Sequence, residues 1–314
     1  MKKICLSNPD KVITVRECFE NYIIKCTVRN LSASTIVCYK DHYRIFEQYI
    51  GGQQQLISNI NEETINGFIL YLRTRCSDIT INSYLRSIRA FLNYASENEY
   101  IKPFLIPFIK ADKKIKETYS DEELKVLLKK PNIKTCNFTE YKTWVFSNYL
   151  LATGNRISSA LNVRIRDLDF DNSLIQINKS KNRKAQIIPL SSSLVSILKE
   201  YLSYRKGSDE DYVFCNTYGD IADIRTYQEM LARYNKKRGV TKTSAHLYRH
   251  TFAKKWILNG GDIFRLQKLL GHSDLTVVKE YVNLFSKDLS TGFDQFNPLD
   301  SLGLYNNNKK IKFN

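Results

Sequence analysis

The sequence predicts a mainly α protein carrying one small β-hairpin or sheet (α+β). It reads as a helical N-terminal domain over 1–104, a basic linker over 105–118, a larger mixed domain over 119–300 and a tail over 301–314. Three observations predict this. Apolar residues recur at three- and four-residue steps along the N-terminal part, the period of an amphipathic helix. The texture breaks between Ile101 and Tyr119, where Pro103 and Pro107 interrupt any helix and Lys110, Lys113, Lys114 and Lys116 make a basic run. Beyond that break, helical patterns give way once to two short β-like runs around a polar turn. A length of 314 residues suits two domains, at roughly 150 residues each.

Element by element, Ile36, Tyr39, Tyr43, Phe46 and Ile50 trace a helix that Gly51-Gly52 stops. Ile65, Phe68, Ile69 and Leu72 repeat the period. Tyr84, Leu85, Ile88, Phe91, Leu92 and Ala95 form the clearest stripe, read as core packing, with Arg86 and Arg89 on the other side, either solvated or facing a polyanion. Ser120, with Glu123 three residues on, forms a capping box that opens the second domain, and Leu124, Leu127 and Leu128 follow on one face. Trp144 to Thr153 reads as a buried helix ending at Gly154, and a further helix starts after it, so Arg156 stands near a helix N-terminus beside a tight turn. Such a place favours anions. Leu174 to Ile177 and Gln186 to Leu190 are the β-like runs, and Lys179, Lys181, Arg183 and Lys184 lie between them at the tip of a hairpin.

Charge narrows the partner. Lys and Arg number 48 against 32 Asp and Glu, a formal net charge of +16. That excess suits a polyanion, because cations that neutralise phosphates release condensed counterions. No apolar run reaches membrane-spanning length, and no lipidation or signal pattern is present, so nucleic acid leads over membrane. Seven scattered cysteines with no C-x-x-C pair read as reduced thiols, which with the missing signal predicts a cytoplasmic protein and argues against structural zinc.

Three of the four histidines fall in a short C-terminal stretch: His246 and His250 in His246-Leu247-Tyr248-Arg249-His250, and His272 after Leu269-Leu270-Gly271, with Tyr281 downstream. His246 and His250 share a helical face as a metal pair would. No Glu follows the first, however, no third ligand is suitably spaced, and Arg249 beside them repels a cation. A Ser-His-Asp hydrolase has no G-x-S-x-G element to support it. What remains is phosphoryl chemistry by Arg, His, Lys and Tyr.

These residues resemble the tyrosine recombinases of the phage integrase and Xer family. The resemblance covers nearly the whole chain: Thr153-Gly154-Asn155-Arg156-Ile157-Ser158, the basic hairpin ending in Ile188-Pro189-Leu190, the His246 to His250 box, and Leu269-Leu270-Gly271-His272-Ser273-Asp274-Leu275 followed by Tyr281. It implies an N-terminal core-binding (SAM-like) domain and a tyrosine recombinase catalytic domain that clamp DNA between them. It also implies roles. Arg156 and Arg249 would hold the scissile phosphate, His246 and His272 would hydrogen-bond it and move protons, and Lys181 would protonate the departing 5′ oxygen, with Lys179 and Lys184 as rivals. Tyr281 would be the nucleophile; a phenol of pKa about 10 needs that cationic pocket to lose its proton. His250 would be structural. Ser159 stands where the family usually has an acid.

The implied reaction makes a 3′-phosphotyrosine and reseals it, without cofactor, on double-stranded DNA at specific recombination sites. A tetramer formed on DNA, with an accessory directionality factor and the apolar residues Phe285 to Leu299 docked on a neighbouring protomer, follows from the same resemblance. The expected setting is the bacterial nucleoid. Within the family, an integrase or excisionase of a mobile element is preferred to an Xer-type resolvase of chromosome or plasmid dimers. The preference rests on the long tail, Phe293 to Asn314; a chain that opens directly on the core-binding domain resembles Xer recombinases and simple integrases alike. A type IB topoisomerase is a more distant alternative, and an inactive DNA-binding relative is disfavoured by the intact Arg, Lys, His and Tyr set.

Overall fold

The computed structural model describes residues 12–112, 117–177 and 186–271. Lys181, its rivals Lys179 and Lys184, His272, Tyr281 and the segment Phe285 to Leu299 lie outside the described residues. Two compact units divide the chain, Met1–Lys114 and Ile115–Asn314.

The first unit is built from four helices, α1 (Val15–Val28), α2 (Ala33–Tyr49), α3 (Glu62–Arg73) and α4 (Asp78–Glu97). The first three start where a polar side chain caps free backbone N–H groups. Thr14 and Glu17 form a reciprocal box on α1, Ser32 accepts from Thr35 on α2, and Asn61 accepts from Thr64 on α3. The apolar stripes read from the sequence then turn inward: Ile65, Phe68, Ile69 and Leu72 are buried on α3, and Leu85, Ile88, Phe91, Leu92 and Ala95 on α4. At ~1.5–3 kcal/mol for each large side chain removed from water, these stripes are the principal reason the helices associate. Aromatic packing fixes the geometry: Phe19 of α1 stacks on Tyr43 of α2 with centroids 3.7 Å apart and meets the edge of Phe91 at 5.3 Å.

The proline-broken stretch has no regular structure through residue 112, yet its first half is packed rather than free. Ile101 and Ile106 are buried in the helical core. The Asn82 amide donates to the Ile109 carbonyl at 2.9 Å and accepts from the Ile109 N–H at 3.0 Å, an exchange that replaces a strand partner. Arg86 and Arg89 both lie over the Phe108 ring, at 5.7 and 5.4 Å from its centroid, so the two side chains help hold this stretch down.

In the second unit the described helices are α5 (Asp121–Leu127), α6 (Phe138–Thr153), α7 (Ile157–Leu161), α8 (Ser192–Arg205), α9 (Ile224–Lys237), α10 (Ala245–Leu258) and α11 (Ile263–Leu270). Helix α6 is the hub. Tyr141, Trp144, Val145, Phe146, Tyr149 and Leu150 are buried on several sides of it, as a helix surrounded by α8, α9 and α10 requires. It begins at Phe138, well before the Trp144 read from the sequence, because Asn137 caps it. The capping box of Ser120 and Glu123 forms as expected.

Three antiparallel strands run in the order β1 (Leu168–Asp169), β2 (Leu174–Ile177) and β3 (Gln186–Pro189). Ile175 faces Ile188, and Ile177 faces Gln186 at the last rung before the basic loop. The expected hairpin is present, and β1 widens it into a small sheet. Cys18, Cys26, Cys38, Cys76, Cys136 and Cys215 are free thiols. No helix among the described residues is long and apolar enough to cross a membrane.

Candidate active site

Helix α6 ends because Gly154 takes a left-handed conformation, φ 62°. A β-carbon there would stand 2.5 Å from Cδ1 of Phe252, so both the backbone and the packing call for glycine. The turn delivers Arg156, half-buried and in extended conformation, as the N-cap of α7. Asn155, between them, is buried and donates to the Tyr149 hydroxyl at 2.8 Å, so the turn is braced from beneath.

Helix α10 carries the histidine and arginine box. Ser244 caps it, and His246 in its first turn is exposed. Arg249, one turn on, is only 6% exposed. Its Nη1 donates to the Gly154 carbonyl at 2.9 Å and its Nη2 to the Leu270 carbonyl at 2.7 Å. Both acceptors stand at helix C-termini, of α6 and α11, where carbonyls have no intrahelical donor and the dipole is negative. A buried guanidinium is thereby solvated by backbone. One side chain thus ties together the residue two places before Arg156 and the residue two places before His272.

Helix α11 ends like α6. Gly271 is left-handed, φ 61°, and its N–H returns to the carbonyls of Gln267 and Lys268. The Lys268 carbonyl also accepts Nε2 of Gln186 at 2.7 Å, and the Leu269 carbonyl takes the same amide. Gln186 had no distinguishing mark in the sequence: a polar residue opening a strand is ordinary.

Other residues singled out from the sequence are now placed. Tyr248, the neighbour of Arg249, is fully buried, hydrogen-bonded to Ser147 at 3.2 Å, and burial pushes its phenol up to about 12. It is shut away from solvent. Ser159, at the position where the family usually has an acid, is 6% exposed on α7. His250 is half-buried on α10. Among the described residues no three His, Cys, Asp or Glu side chains gather as a metal-ligand set.

Comparison with known proteins follows the same division of the chain. Residues 117–287 match the phage integrase family, and residues 14–115 match the phage integrase SAM-like domain. The tyrosine recombinase XerD of Staphylococcus saprophyticus is 25% identical over 281 residues, covering 86% of this chain and 94% of its own length. XerD of Oceanobacillus iheyensis is 26% identical over 283 residues, with the same coverage of 86% and 94%. Among solved structures, the Tn1549 transposon integrase in complex with a circular intermediate DNA superposes with a TM-score of 0.74 at 22% identity, covering 86% of this chain and 95% of that one. A lambda integrase dimer bound to a core site gives 0.69 at 16% identity, covering 87% and 78%. These likenesses establish the fold.

Proposed function

The chain belongs to the phage integrase family and is a tyrosine recombinase, an enzyme that cleaves and rejoins DNA; from that premise we propose that it acts on double-stranded DNA at specific recombination sites, through Arg156, Lys181, His246, Arg249, His272 and Tyr281. The Tyr281 phenol oxygen attacks the scissile phosphorus, and the bond to the 5′ oxygen breaks. The phenol proton passes to the histidines, and Lys181 protonates the departing 5′ oxygen. Arg156 and Arg249 hold the non-bridging oxygens and neutralise the charge that builds on them. The phosphodiester energy is kept in the 3′-phosphotyrosine, so a 5′ hydroxyl of a partner duplex reseals it without cofactor.

The observation that carries this reading is the buried fork of Arg249, hydrogen-bonded to the turn that delivers Arg156 and to the helix end that precedes His272. Preorganised charge of this kind acts on a transition state at no reorganisation cost. The test is Tyr281→Phe on a nicked suicide substrate. The variant is expected to bind the site as the parent does and to form no covalent adduct. Adduct formation by Tyr281→Phe would remove Tyr281 from the role.

The enzyme works as a tetramer on DNA, in the cytoplasm, for a mobile genetic element and with an accessory directionality factor. Resolution of chromosome or plasmid dimers is the second reading, favoured by the similarity to XerD along 86% of the chain. Both roles use one chemistry on different DNA. Mapping cleavage on genomic fragments separates them: sites at the ends of an insertion support the element, whereas a single chromosomal site without flanking insertion supports resolution.

A further inference from the structure

The geometry points to Gln186 as a positioning residue that ties the base of the basic hairpin to the end of α11, and so sets where the loop's general acid stands. The inference rests on the reading of Lys181 given above.

Gln186 occupies a junction. It pairs with Ile177 at the last rung of the ladder, and the loop bearing Lys181 begins immediately before it in the chain. Two short strands hold such a rung weakly, because a hairpin end frays unless a tertiary contact closes it. Gln186 supplies one: its Nε2 donates to the Lys268 carbonyl at 2.7 Å and to that of Leu269.

On the other side of the junction, the last four carbonyls of α11 are all claimed. Gln267 and Lys268 receive the Gly271 N–H, Lys268 and Leu269 receive Gln186, and Leu270 receives Arg249. The same helix end therefore anchors the arginine of the phosphate site and the strand that leads out of the lysine loop. The two residues meet closely, since a β-carbon at Gly271 would stand 2.9 Å from Oε1 of Gln186. A side chain with Gln186's hydrogen bonds does more than stabilise a strand. It sets hairpin and phosphate clamp in one frame.

The experiment compares Gln186→Met, which keeps the shape without the donor, with Gln186→Lys, which keeps a donor facing a helix C-terminus. Each is assayed for single-turnover cleavage on ordinary DNA and on a substrate whose bridging 5′ oxygen is sulfur, a leaving group that needs no acid, with Lys181→Ala alongside. Gln186→Met is expected to bind DNA normally, to cleave ordinary DNA on the order of 10–100-fold slower, and to recover on the sulfur substrate; Gln186→Lys is expected to retain most of the activity. Rescue of Lys181→Ala without rescue of Gln186→Met overturns the inference and leaves the reading of Lys181 standing. Rescue of Gln186→Met without rescue of Lys181→Ala supports Gln186's role and moves the acid elsewhere in the loop. Undiminished cleavage by Gln186→Met, or rescue of neither variant, overturns the inference.

Discussion

Arg249 and Arg156 share a proposed task, and substitution of either should be read first in cleavage. Removing either is expected to cost on the order of 3 kcal/mol or more in transition-state stabilisation, read as cleavage rate, while DNA binding weakens far less. Arg249 is buried and caps two helix ends. Arg249→Ala should therefore also lower thermal stability, by about 1–3 kcal/mol for carbonyls left unpaired. Equal losses in binding and cleavage would make both arginines ordinary backbone contacts. Lysine is no substitute at 249, since a single ammonium cannot span the carbonyls of Gly154 and Leu270.

Between elements, the packing of α2 against α4 includes a titratable group. His42 of α2 shares a 2.7 Å hydrogen bond with Ser87 of α4, lies 4.3 Å from the Tyr84 ring and stands beside Cys38. Burial holds its imidazole below the usual histidine range, and the neighbouring Asp41 charge pulls it part of the way back. The folded state thus binds fewer protons than the unfolded chain. Stability from this site is complete above the unfolded value of about 6.5 and is lost as pH falls below it. Melting at about pH 7.5 and about pH 5.5 should show a larger drop for the parent than for His42→Gln. Identical drops would mean that the site does not titrate.

At the scale of the whole molecule, charge is the dominant property. Ion pairs absorb some of it: Glu140 holds both Lys237 and Arg238, Glu210 holds Arg164 and Arg166, and Glu47 holds Arg16. The exposed pairs of Glu210 contribute only about 0–1 kcal/mol each, and ion pairing leaves the formal excess of +16 intact. With six or more phosphate contacts, affinity for a cognate duplex should fall roughly 10³-fold or more between about 50 and about 200 mM salt. Affinity that barely changes with salt would show that the charge excess plays no part in binding.

What the linear chain determined by itself is local: the periods of α2, α3 and α4, the capping box at Ser120 and Glu123, the glycine that ends α6, and the two strands around a basic loop. Each depends on residues a few positions apart, which is the range over which capping and periodicity act. The site residues were legible as motifs for the same reason, though Lys181, His272 and Tyr281 lie outside the described structure. Short elements carry weaker local signals. β1 has two residues and no period, and the start of α1 is marked only by Thr14 and Glu17. The tertiary structure alone decided that Tyr248 is sealed in the core while its neighbour Arg249 reaches two helix ends, and that Gln186 meets the carbonyls of Lys268 and Leu269. Arg249 and Gly154 are 95 residues apart in sequence. An orphan carbonyl at a helix end carries no sequence signature, because every residue has one; which side chain satisfies it is settled only when the helices pack.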